Sequence, residues 1–185
     1  SCTRVHHKAR ELGATVIYDS IGVGAGCGAK FNELNQTNKC SVKHAKFNAG
    51  AAVVKPEALY ERAAGIKNKD FFTNLKSQSW WCVADRFRLT YQVVNAIKNG
   101  ETPPPYQLDE LISISSKCPN LEKLKMELSI PMRDFDNNGR VKVESKKDLA
   151  KRDIKSPNIA DSFIMAYAPI NSGLNIRPDA LKGLF

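Results

Sequence analysis

The sequence predicts an α/β fold, and three observations carry that prediction. A short β-branched apolar run, ATVIY at 14–18, leads directly into the glycine-rich turn SIGVGAGCG, as a buried strand does when it hands the chain to a helix. A second strand is expected at 42–47. Segments with helical spacing precede and separate these runs, so helix and strand alternate and build an α/β layer.

Taken in order, residues 2–12 read as a helix in which Val5, Ala9 and Leu12 share a face, with Gly13 in the left-handed cap position. Strand 14–18 carries Asp19 at its carboxyl end, and Gly22, Gly24, Gly26 and Gly28 populate the turn before a helix at 29–35. The stretch 48–68 is irregular, with one helical turn expected around 56–64. A long helix at 69–98 follows, because Phe72, Leu75, Val83, Phe87, Val94 and Ile97 fall within a stripe about 120° wide. Trp80 and Trp81 cannot both lie in that stripe; one belongs to the core, and the other covers a loop or meets a partner. Asn99-Gly100 and the run Pro103-Pro104-Pro105 end the helix and impose an extended linker. Residues 111–114 read as a strand, and Leu121, Leu124 and Leu128 line a helix entered through Cys118-Pro119-Asn120. Asp136-Asn137-Asn138-Gly139 marks a hairpin between 130–135 and 140–144. In the last helix Ser156 is the expected cap and Pro157 the first position, with Ala160, Phe163, Ile164 and Tyr167 buried.

At 185 residues and 42% hydrophobic content the chain suits one globular domain and excludes disorder. No run approaches the roughly 20 apolar residues of a membrane span. The charge of +9, from 28 Lys and Arg against 19 Asp and Glu, makes a polyanion the first partner to consider. Cys2, Cys27, Cys40, Cys82 and Cys118 are an odd set without a C-x-x-C pair, which argues against a disulfide framework or a structural zinc site and fits a reducing cytoplasm. His6 and His7 point about 100° apart on a helix and read as surface residues.

Three constellations can carry chemistry. Asp19 stands where ligands gather in open α/β sheets, outside the carboxyl end of a strand and beside glycines that permit close approach. Gly24-x-Gly26-x-x-Ala29 meets a relaxed dinucleotide fingerprint, but no acid lies between Glu33 and Glu57, where the ribose partner belongs. Asp161 sits about 60° from Ile164 around the last helix, at the rim of its apolar stripe. A carboxylate so placed needs a cation or a basic neighbour, or else opens to solvent. Third, 140–155 holds seven basic residues, Arg140, Lys142, Lys146, Lys147, Lys151, Arg152 and Lys155, against Glu144, Asp148 and Asp153, a net +4 running into Asp161. Cationic groups beside a carboxylate suit an enzyme that grips phosphates and cuts between them with metal ions. Asp134-x-Asp136-x-Asn138-Gly139 begins like a calcium loop, but its twelfth position is Ser145, and no P-loop motif occurs anywhere.

Taken together, IYDSIGVGAG, KDFFTNLKSQSWWCVADRF, LISI, LEKLKMELS and GRVKVESKKDLAKRDIKSPNIADSFIMAYAP resemble, in order, the nuclease domain of the large subunit of tailed-phage terminases, the DNA-packaging motors. The tail of the last block, SPNIADS, is the most specific part. The resemblance implies a ribonuclease H-like mixed central sheet flanked by helices, with a C-terminal hairpin and helix, spanning 1–185 without an ATPase domain. It implies an endonuclease that cuts concatemeric double-stranded DNA during head filling with two Mg²⁺ or Mn²⁺ ions. Asp19 and Asp161 match two of the family's metal-binding acids, and the acid on the family's first strand would fall before Ser1.

From the resemblance, the partners would be double-stranded DNA, the terminase small subunit, the portal and the ATPase domain of the same polypeptide, in the host cytoplasm. Lys146, Lys147, Lys151 and Arg152 would hold the DNA backbone or else stand as solvated surface charges. Two carboxylates hold divalent ions poorly compared with three or four. The expectation is therefore weak metal binding and little cleavage by this chain, with Asp153 and Glu144 as the acids that could substitute. The rival expectation is a non-catalytic module that docks on DNA or packaging proteins through the basic segment and the Trp80–Trp81 region.

Overall fold

The computed structural model describes residues 2–170. The chain divides into two compact units, one containing residues 2–48 and the other residues 49–169.

In the first unit, α1 (Cys2–Leu12) ends at Gly13, whose φ of +61 places it in the left-handed region open to glycine. The Ala14 N–H then donates to Ala9 O at 2.9 Å, turning the chain into β1 (Val16–Asp19). β1 pairs in parallel with β2 (His44–Phe47), Val16 opposite His44 and Asp19 opposite Phe47. Parallel neighbours need a crossover, and α2 (Cys27–Thr37) supplies it. It starts two residues before the predicted helix. Ala9, Val16, Tyr18, Phe31 and Val42 form the core.

The buried face of α1 differs from the predicted one. Val5 and Leu12 are exposed, whereas Cys2, His6 and Ala9 turn inward at i, i+4 and i+7. His6 is therefore not a surface residue: it is 3% exposed, and its Nε2 bonds Asn35 Oδ1 at 2.9 Å. Asn35 also bonds both backbone groups of Val42, so the buried imidazole has a fixed polar partner. His7 is exposed as expected.

In the second unit, 49–67 is built of turns without the expected helical turn, and an isolated bridge joins Leu59 to Lys67. The predicted helix at 69–98 is two helices, α3 (Asn68–Phe71) and α4 (Leu75–Lys98). Between them Phe72 is extended and buried, and Thr73 N donates to Val141 O at 2.9 Å. Asn74 then caps α4 by accepting from Ser77 N, and it is this cap that helical periodicity alone missed. Trp80 is core, and Trp81 is half-buried at 6.4 Å from the Phe72 ring. The predicted stripe holds only at its start: Leu75 and Val83 are buried, but Val94 and Ile97 are exposed while Leu89 and Ala96 turn inward.

Residues 111–114 are extended but form no ladder. Side chains of α4 take that role: Ile112 N donates to Thr90 Oγ1 (2.9 Å), Thr90 Oγ1 donates to Ile112 O (3.3 Å), and Arg86 Nη1 donates to Leu111 O (3.1 Å). α5 (Leu121–Ser129) precedes the predicted hairpin, β3 (Arg133–Phe135) antiparallel to β4 (Val141–Val143). Its turn is organised by Asp136, whose Oδ1 accepts from Asn138 N and Arg140 N and whose Oδ2 pairs with Arg140 Nε at 2.8 Å. That carboxylate is committed to a turn, as the hairpin reading of this segment requires. α6 (Lys146–Lys151) and α7 (Asn158–Ala166) complete the unit, whose core gathers Trp80, Val83, Ile112, Val143, Ala160 and Ile164. Among the described residues the strands form two two-stranded sheets in a mixed α/β arrangement, not the expected central sheet.

Candidate active site

Asp19 belongs to the first unit and Asp161, with the basic segment, to the second. Asp19 is exposed at the end of β1, and its Oδ1 accepts from Ile21 N at 3.0 Å, which folds the chain back immediately after the strand. Ser20 is tied to Phe47 O through both its N–H and its hydroxyl. The glycines have a packing role here. A Cβ on Gly24 would stand 1.7 Å from Asp19 O, and one on Gly28 would meet the Tyr18 hydroxyl at 2.3 Å. The turn thus folds tightly over the strand end and leaves Asp19 Oδ2 without a partner among the described residues.

Asp161 lies in the first turn of α7, and the cap of that helix is not the predicted one. Ser156 Oγ is buried without a partner among the described residues, and Pro157 occupies the cap position. The first-turn N–H groups of Ile159 and Ala160 instead donate to Glu127 Oε2, at 2.7 and 3.0 Å. Glu127, only 7% exposed, reaches them from α5, and a carboxylate suits the positive end of the helix dipole. Nothing in the sequence points to it, since Glu127 lies about 60° outside the face of Leu121, Leu124 and Leu128 predicted to be buried.

Asp161 Oδ2 pairs with Lys146 Nζ at 2.9 Å, the lysine half-exposed and the carboxylate largely covered. The sequence-derived sites Asp161 and Lys146 are therefore brought together, so that of the alternatives its rim position left open the carboxylate has a basic neighbour. Lys76, in the first turn of α4, was not singled out from the sequence. Its Nζ reaches Glu144 O at 3.4 Å; burial pushes its ammonium pKa down, with Lys146 adding to that while Asp161 and Glu144 oppose it.

The other three basic candidates differ in availability. Lys151 pairs with Asp148 at 2.7 Å and Arg152 with Glu144 at 2.6 Å, whereas Lys147 is exposed with no ion-pair partner among the described residues. Ser145 caps α6 and so presents Lys146 and Lys147 in its first turn. Glu144 is buried; the Met132 N–H and then Arg152 hold its carboxyl below the usual carboxylate range. It is engaged in structure rather than free to replace a metal ligand. Asp153 is exposed just past α6, at φ +56.

Carboxylate oxygens are hard donors that suit Mg²⁺ or Mn²⁺, and Asp19 Oδ2 in one unit and Asp161 Oδ1 in the other are each uncommitted among the described residues. The donors thus fit such an ion in kind. In number they fall short: among the described residues no group of three or more His, Cys, Asp or Glu could hold a metal. No helix among them is long and apolar enough to cross a membrane.

No model of a protein family matches the chain, and neither does any curated protein. Solved structures do. The chain is similar to the nuclease domain of the large terminase subunit gp2 of bacterial virus Sf6, at 31% identity and a TM-score of 0.74, over 90% of this chain and 70% of that one. It is equally similar in fold to a lysine-to-alanine variant of that domain solved with manganese, at 29% identity and a TM-score of 0.73, covering 90% of this chain and 71% of the other. A calcium form of the variant matches at 29% identity and a TM-score of 0.73, over 90% and 70% of the two chains.

Proposed function

The chain belongs to the family of terminase large-subunit nuclease domains of bacterial viruses, and on that premise we propose that it is a metal-dependent endonuclease of DNA packaging with a ribonuclease H-like fold. Its substrate is concatemeric double-stranded DNA, cut as heads are filled in an infected or lysogenic bacterial cell. The observation that carries the reading is likeness to nuclease domains over nine-tenths of the chain, one of them solved with manganese. Small subunit, portal and an ATPase domain of the same polypeptide are the partners this role requires.

Asp19 and Asp161 are the residues that would hold Mg²⁺ or Mn²⁺. A bound divalent ion supplies Lewis acidity at a phosphodiester oxygen and a water acidic enough to attack phosphorus. Until a cation arrives, Lys146 neutralises Asp161 across a half-exposed pair that is weak enough to open. Freed from Asp161, Lys146 joins Lys147 in holding backbone phosphates. Lys151 and Arg152 can do the same only by leaving Asp148 and Glu144. Contacts to phosphate position DNA without reading bases, so cutting is nearly independent of sequence.

The test is nicking of supercoiled plasmid by this chain with Mn²⁺ in large excess. Two carboxylates make a weak site, so the expected result is slow nicking that disappears in Asp19→Asn and in Asp161→Asn. A second reading, a DNA-docking module without catalysis, is favoured by exposed Lys147 at the start of α6, which has no ion-pair partner among the described residues. It predicts no nicking and DNA affinity that falls steeply with salt yet ignores Mn²⁺.

A further inference from the structure

Within the unit of residues 2–48, Cys2, Cys27 and Cys40 all pack against the core, but they are not equivalent. Cys40 Sγ is engaged by Asn35 Oδ1 at 3.5 Å and lies 3.8 Å from His6 Nε2. Cys2 and Cys27 face each other instead, Sγ to Sγ at 3.3 Å, each partly exposed. A disulfide is about 2 Å long, so joining them takes an approach of about 1 Å. Each is the first residue of its helix, Cys2 of α1 and Cys27 of α2, where a side chain is least confined by a preceding turn.

We propose that Cys2 and Cys27 are a redox-active dithiol, a modification site at which a peroxide converts two thiols into one disulfide. The Cys2 thiolate attacks a peroxide oxygen, the O–O bond breaks, and the departing hydroxide takes up a proton as water, leaving a sulfenic acid on Cys2. The Cys27 sulfur then attacks the Cys2 sulfur, the S–O bond breaks, and the oxygen leaves as a second water, carrying the Cys27 proton. Two electrons pass from the sulfurs to hydrogen peroxide; two thiols and one peroxide become one disulfide and two waters. The order follows from the local chemistry, because the hydrogen bond Cys27 shares with Cys2 and burial both push the Cys27 thiol pKa up, which keeps it the protonated partner beside a Cys2 thiolate and makes it the second to react.

The bond encloses β1, Asp19 and the glycine turn, and it pins the first residue of the helix into which that turn leads. Cross-linking narrows the unfolded ensemble of this unit and holds the strand end against α2. In a reducing compartment the bond forms transiently, so its presence reports an oxidant. None of this depends on the nuclease reading.

The experiment treats the full chain with one equivalent of hydrogen peroxide, then counts thiols after denaturation and maps cross-linked peptides by mass spectrometry. The expected result is a fall from five free thiols to three, a single cross-link between the Cys2 and Cys27 peptides, and a higher melting temperature, all reversed by dithiothreitol. Cys2→Ser and Cys27→Ser each remove the cross-link, while Cys118→Ser, in the other unit, keeps it. Circular dichroism of each serine variant verifies its fold. Retention of all five thiols, or a cross-link that survives Cys27→Ser, overturns the proposal.

Discussion

Replacing Glu127 with alanine strips the cap from α7 while leaving the helix sequence untouched, and the cost can be worked from the structure. Two first-turn N–H groups, of Ile159 and Ala160, donate to one carboxylate oxygen at 2.7 and 3.0 Å. Glu127 is 7% exposed and Ala160 fully buried, so water cannot easily replace that oxygen. A buried donor left unsatisfied costs about 1–3 kcal/mol. Allowing for partial relaxation of the helix end, the pair sums to about 2–4 kcal/mol, or roughly 4–16 °C in melting temperature for a chain of this size. Glu127→Gln keeps an acceptor and loses the charge against the helix dipole together with the long 3.9 Å pair to exposed Lys123, about 1 kcal/mol. Urea and thermal melts followed by far-UV circular dichroism measure both variants. Because Asp161 stands in the same turn, Glu127→Ala also loosens the Lys146–Asp161 pair. An alanine variant within about 0.5 kcal/mol of the parent, or a glutamine variant as unstable as alanine, would refute the reasoning.

Further outcomes follow from the same geometry. Gly24→Ala drives a Cβ to 1.7 Å from the backbone of Asp19 and forces the turn open, costing about 3 kcal/mol or more, while Gly26→Ala meets nothing within 4 Å and stays within about 1 kcal/mol; thermal melts of the two variants separate them. The carboxyl of Glu57, bonded by Lys67 and Lys69, titrates at about 2 instead of 4.5, so the stability it lends is complete above pH 4.5 and fades as pH falls toward 2. An NMR titration giving a value near 4.5 would contradict that. Lys147→Ala lowers the slope of log affinity against log salt for duplex DNA by about 0.9, one phosphate contact, and an unchanged slope in a fluorescence-anisotropy series removes Lys147 from the interface.

The legible parts of the fold were those written in local sequence. Gly13 ended α1, the β-branched run became β1, and Asp136 to Gly139 became a hairpin turn, each through chemistry confined to neighbouring residues. What escaped depended on distant partners. His6 reads as surface because its partner, Asn35, lies 29 residues on, and Ser156 reads as a cap because nothing local announces Glu127 as its replacement. Residues 111–114 read as a strand, and in the structure Leu111 O and both backbone groups of Ile112 are satisfied by Arg86 and Thr90 on a helix instead. The break before Asn74 could have been read, since Asn is a strong cap; the apolar stripe running through it concealed it. At the candidate site, the position of Asp161 at the edge of an apolar stripe leaves a cation, a basic neighbour or solvent open, and in the structure a basic neighbour, Lys146, pairs with it. Lys76 gave no such sign, because its environment is assembled from Glu144 just past β4, Lys146 of α6 and Asp161 of α7.

The central proposal is that Asp19 and Asp161 would hold a divalent ion, and Mn²⁺ binding followed by electron paramagnetic resonance tests it most directly. The account predicts weak saturable binding by this chain that is lost in Asp19→Asn and in Asp161→Asn, and strengthened in Lys146→Met, which removes the competing ammonium. Equal Mn²⁺ binding by the parent and the Asp19→Asn, Asp161→Asn double variant would contradict it.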